Sequence, residues 1–228
     1  MADILLGHRC IGAVEIDPYC RAVLAARQAD GSLDPFPVFT DVRSFDARPY
    51  RCRADIVAGG FPCQDISSAG AKRGIGGVRS GLWGEMARVI REVEPRFAFV
   101  ENSPDLAARG LGDVLGDLAE MGFDAEWACI PASYCGAPQG RDRIWIVAHS
   151  RRWGCSRRAQ RDVEGSDAKR WNDHDRLALG QRRAGEASSR IRRMDDVVAH
   201  GVDRLRAIGN GQVPIMAATA FRMLSATY

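Results

Sequence analysis

No apolar run in this chain approaches the roughly 20 residues that cross a bilayer, and the opening Met1-Ala2-Asp3-Ile4-Leu5-Leu6 is too short for a secretory signal. A cytoplasmic protein is expected. C-x-x-C pairs are also missing, and the seven cysteines (10, 20, 52, 63, 129, 135 and 155) keep no metal-like spacing with the four histidines. That argues against a disulfide framework and against a metal site. Cys10, Cys20, Cys52 and Cys129 read instead as small core residues. The histidines at 8, 149, 174 and 200 lie in no recognisable motif, which disfavours a thiol hydrolase, since a cysteine nucleophile of that kind needs a histidine beside it. Internal repeats and single-residue tracts are absent as well.

What is present is a soluble, globular composition: 228 residues, 46% hydrophobic and 27% charged, with net charge only +3. Length favours one domain with a modest insertion. Charge is uneven, because residues 151–200 hold 13 Lys+Arg against 8 Asp+Glu. From about Ser150 apolar periodicity fails, returning at Val197–Leu224. The reading is a main domain over 1–150, a basic insert at 151–200 and a C-terminal segment, 201–228, that rejoins the first. Such an insert suits a polyanion, although a solvated loop reads the same way. Its Trp153 and Trp171 are candidates for stacking, with packing the better expectation.

Apolar, β-rich runs at Ile11–Ile16, Pro37–Val42, Asp55–Ala58, Arg96–Val100, Trp127–Ile130 and Arg143–Ala148 alternate with helical patterns at Pro18–Arg27, Gly81–Val93 and Leu111–Met121. Pro214 opens a further helix. Alternation of this kind predicts an α/β, Rossmann-like, doubly wound and mostly parallel sheet. Sites in such folds form at the carboxyl ends of strands. There the chain places Cys63, in Gly59-Gly60-Phe61-Pro62-Cys63-Gln64, between two turn-forming dipeptides. Glu15 and Asp17 likewise end a strand, where an acid can hold a ribose or cap the next helix.

Four stretches occur in order: Gly-Phe-Pro-Cys63-Gln, Val100-Glu101-Asn102-Ser103-Pro104, Pro138-Gln139-Gly140-Arg141-Asp142-Arg143, and Ile208-Gly209-Asn210-Gly211-Gln212-Val213-Pro214. With them the chain resembles the DNA (cytosine-5) methyltransferases, from about Ile11 to Phe221 apart from the insert. The resemblance implies an S-adenosylmethionine-dependent methyltransferase fold acting on double-stranded DNA as a monomer. Cys63 would be the nucleophile and Glu101 the acid, in the apolar setting of Phe97-Ala98-Phe99-Val100. Arg143 would face the cytosine carbonyl, with Arg141 supporting the pocket. Pro62, Gln64 and Gln139 would touch the substrate, together with Ser67 and Arg79 from a glycine-rich, basic segment that reads as a closing lid. Glu15 would hold the cofactor ribose, Ile16 the adenine face and Asp41 the adenine amino group, with Phe61 and Asn210 lining the rest. The insert would read the major groove. Alternatives are an inactive DNA-binding relative and an RNA cytosine-5 methyltransferase.

Family members begin with a strand and a Phe-x-Gly-x-Gly turn around the methionine part of the cofactor; neither stands in these residues, so the fold reads as N-terminally truncated. Met1–His8 reads as the helix that follows that turn. The expectation is that an upstream extension, a complementing polypeptide or decay of the enzyme accounts for the difference.

Overall fold

The computed structural model describes residues 2–61, 81–135, 142–153 and 213–226. Its elements run α1 (Ala2–Leu6), β1 (Ala13–Val14), α2 (Pro18–Ala29), β2 (Val38–Phe39), β3 (Ile56–Gly60), α3 (Leu82–Val93), β4 (Phe97–Asn102), α4 (Leu106–Arg109), α5 (Leu111–Glu120), β5 (Phe123–Pro131), β6 (Asp142–Ser150) and α6 (Pro214–Ser225). Each strand expected from the sequence is present; β5 begins four residues early. No helix among the described residues is long and apolar enough to cross a membrane.

Local chemistry sets the boundaries. Asp17 caps α2, its carboxylate accepting the amides of Tyr19 at 2.8 Å and Cys20 at 3.2 Å, and Pro18 follows at the first helical position, where a missing N–H costs nothing. α3 buries Trp83, Met86, Ala87, Ile90 and Val93, a spacing of three and four that makes one apolar stripe. It stops at Glu94, whose left-handed backbone (φ 51°) lets its amide return to the Ile90 carbonyl, and Pro95 follows.

β3, β4, β6 and β5 form a sheet in that order. β3 pairs parallel to β4, while β6 runs antiparallel to both β4 and β5. Three strands therefore point one way and β6 alone is reversed. β1 and β2 make a separate parallel pair, so the described strands fall in two sheets where the alternation pattern suggested one. The four-stranded sheet is doubly covered. Ala98, Val100, Ile144, Ile146 and Ala148 face the buried stripes of α3 and α5, and Phe97, Phe99, Trp145 and Val147 face α6. α6 brings the C-terminal residues back onto β5 and β6 and touches α1.

The cysteine expectation needs correction. Cys10 and Cys20 are half-buried, Cys129 and Cys52 are exposed, and Cys52 is disulfide-bonded. The reason is position: α2 buries no residue at all, and Cys129 lies on the edge strand β5. Trp153 does pack, with the Arg96 guanidinium 5.0 Å from its ring and 5.0 Å from that of Phe97.

Candidate active site

Parallel pairing sets Gly60 of β3 opposite Glu101 of β4, and antiparallel pairing sets Glu101 opposite Trp145 of β6. Side chains two apart along a strand share a face, so Arg143 lies on the same face as Glu101. The two meet: Arg143 Nε is 2.7 Å from Glu101 Oε1, with the side chains 25% and 16% exposed. Arg143 also donates from an amino group to the Asp142 carbonyl at 2.7 Å, which holds the guanidinium against its own strand. Glu101 therefore stands in an ion pair as well as beside apolar residues, a departure from the purely apolar setting implied by Phe97–Val100. The apolar side is real too, because a cavity of about 360 Å³ lined by His8, Ala58, Phe99, Glu101, Pro214 and Phe221 opens next to the carboxylate. His8 lies edge-on to Phe221 at 5.4 Å, and burial holds it below its ordinary value of 6.5, opposed by Asp3 and Asp55.

On the opposite face, Asn102 is 3% exposed and donates from Nδ2 to the Phe61 carbonyl at 2.8 Å, while its Oδ1 accepts the Ser103 amide. Phe61 is itself buried, its ring 5.2 Å from Trp83. Trp83 donates to the buried Asp117 carboxylate at 2.8 Å. The last described residue before Pro62-Cys63 is thus fixed by its carbonyl and by its ring. Asn102 was not among the site residues expected from sequence, although its place beside Glu101 at a strand end was a usable signal.

A second group gathers at the carboxyl ends of β1 and β2. Parallel register pairs Val14 with Phe39, and the Glu15 amide donates to the Phe39 carbonyl at 2.9 Å. Glu15 and Ile16 consequently lie beside the Thr40-Asp41 turn. Glu15 Oε1 accepts the Asp17 amide at 2.8 Å, and Asp41 accepts the Arg43 amide at 2.9 Å. Ile16 is 67% exposed. Pro62, Cys63, Gln64, Ser67, Arg79, Gln139, Arg141, Asn210 and Trp171 lie outside the described residues, as does the greater part of the basic insert.

Helices on both faces of a sheet with one reversed strand, and polar groups gathered at strand carboxyl ends, define a Rossmann-like methyltransferase fold. DNMT2 from Spodoptera frugiperda shares this fold, at TM-score 0.52 and 14% identity over 67% of this chain and 46% of that one. Residues 4–193 match the model of the C-5 cytosine-specific DNA methylases, and the chain belongs to that family. It is similar to type II methyltransferase M1.ScrFI of Lactococcus lactis subsp. cremoris, 38% identical over 43% of this chain, and to M.Eco47II of Escherichia coli, 37% identical over 47%. The matched stretch spans about a quarter of each relative's length, 26% and 27%.

Proposed function

We propose that this chain methylates carbon 5 of cytosine in double-stranded DNA, acting in the cytoplasm as a monomer. The observation that carries the reading is the Glu101–Arg143 pair, set at the strand ends next to the anchored Phe61 that leads into Pro62-Cys63.

Each residue type has a task in that chemistry. Carbon 5 becomes nucleophilic only after something adds to carbon 6, and a thiolate adds reversibly, which suits Cys63. Addition pushes electron density onto the ring nitrogen beside the amino group, where the Glu101 carboxyl would supply a hydrogen bond or proton. Arg143, held against the same carboxylate, would donate to the ring carbonyl. Arg141 would support the pocket, Gln139 would contact the substrate, and Pro62 and Gln64 would flank the thiol. Once carbon 5 carries the methyl, loss of its proton to a base restores the 5,6 double bond and breaks the carbon 6–sulfur bond, expelling the Cys63 thiolate.

S-adenosylmethionine supplies the methyl group. The residues at the ends of β1 and β2 would hold its nucleoside part: the Glu15 carboxylate would take the ribose hydroxyls, the exposed Ile16 offers an apolar face for a purine, and Asp41, just past β2, would accept from the adenine amino group. Phe61 and Asn210 would complete that wall. Taking a base from a duplex costs a few kcal/mol, which phosphate contacts from Ser67, Arg79 and the basic insert would offset.

The test is transfer of labelled methyl from S-adenosylmethionine to duplex DNA by the full chain, with Cys63→Ala beside it. Label on cytosine carbon 5 that disappears in the variant is the expected result. Binding of DNA with no transfer would replace this reading by an inactive DNA-binding protein, and label on transfer RNA alone would make the substrate RNA.

A further inference from the structure

Read as a dipeptide, Gly59-Gly60 looks like a turn that ends the strand. The structure shows otherwise: β3 runs through Gly60, and neither glycine adopts the left-handed backbone that only glycine tolerates well. Turn chemistry therefore does not explain a glycine at either place, and the reason lies in what surrounds them.

Those surroundings differ. A Cβ on Gly59 would meet the Met86 thioether at 3.3 and 3.4 Å, the movable end of an unbranched side chain. A Cβ on Gly60 would meet Glu101 Oε2 at 2.9 Å and the Glu101 backbone oxygen at 3.1 Å. The backbone oxygen is fixed by strand pairing, and the carboxylate is tethered through its other oxygen to Arg143 at 2.7 Å, so a Cβ at Gly60 would push against that pair. We infer that Gly60 is a positioning residue for the acid: its missing side chain is the space into which the Glu101 carboxylate leans, and so sets where Glu101 and Arg143 together meet the base. This rests on the methyltransfer reading for its catalytic consequence, and on geometry alone for the position of the carboxylate.

The experiment compares Gly60→Ala with Gly59→Ala in the full chain, by labelled methyl transfer and by crystal structures. Displacing a reacting group by about 1 Å costs on the order of 100-fold. The Gly60→Ala kcat should accordingly fall roughly 10- to 100-fold, with KM for DNA within about twofold and Gly59→Ala within about threefold of wild type. Glu101→Asp, one methylene shorter, draws the carboxylate back, so adding Gly60→Ala to it should cost less than about threefold more. In the crystal, Gly60→Ala should break the Glu101–Arg143 contact. Equal behaviour of the two alanine variants, or an undisturbed Glu101–Arg143 pair in Gly60→Ala, would overturn the inference. If the wild-type chain transfers no methyl at all, the proposed function fails by itself, and the crystal comparison still decides the role of Gly60.

Discussion

Two polar or charged side chains are buried among the described residues, Asn102 and Asp117, and each is tied to the segment entering the cysteine motif. Burial of such groups without partners is costly, so their hydrogen bonds define the local structure more sharply than any apolar contact. Asn102→Asp keeps an acceptor for the Ser103 amide but replaces the donor to the Phe61 carbonyl with a second oxygen. It should cost about 1–3 kcal/mol of stability and lower methyl transfer at least tenfold. Urea denaturation beside the transfer assay checks this; unchanged values in both would remove Asn102 from the site. Glu101 and Arg143 were legible as separate motif residues, but their pairing was not, because it joins positions 42 apart through strand register.

At the scale of elements, α3 links both halves of the candidate site. Its Trp83 packs on Phe61 and donates to Asp117 of α5, and its Arg88 donates to the Val42 carbonyl at 2.6 Å and the Phe45 carbonyl at 3.0 Å. Glu85 and Glu92 flank that guanidinium at 2.8 and 2.9 Å. One helix thereby holds the Phe61 anchor and the chain leaving Asp41. Trp83→Phe keeps an aromatic ring, though a smaller one, but removes the indole N–H from a buried carboxylate, and should destabilise the protein by about 1–3 kcal/mol. A denaturation midpoint equal to wild type would show that this bond contributes nothing. The helix itself was readable in advance from its three- and four-residue apolar spacing. What it joins was not, since Arg88 and Trp83 read alone are an exposed-face cation and a core aromatic. The short α4 also escaped the pattern, because four residues are too few for periodicity.

Among the described residues, two histidines give the whole molecule a pH dependence. Burial holds His8 and His149 below their ordinary 6.5; Arg96 adds to the effect on His149 while Asp124 opposes it, and Arg222 adds to it on His8 while Asp3 and Asp55 oppose. Between those depressed values and 6.5 the unfolded chain binds more protons than the folded one, so stability is full above 6.5 and declines as pH falls through that window. Hydrogen bonds from Ser32 and Arg48 hold Asp30 and Asp46 below their ordinary 3.8, so those groups act only at still lower pH. Thermal midpoints should drop between about pH 7.5 and 5.5 in wild type and much less in the His8→Gln/His149→Gln variant. Parallel curves for the two would dismiss the histidines as the cause.

From sequence alone came the α/β class, the six strands, the principal helices and the family. Each follows from local periodicity, or from residues adjacent in the chain, such as the cap at Asp17 before Pro18. Tertiary structure alone decided the reversal of β6, the division of the strands into two sheets and the ion pair that holds Glu101. It also decided why Gly60 is a glycine. Those properties depend on which backbone lies within a few ångströms of which side chain, and strand register, unlike hydrophobic period, is settled only when distant segments pair.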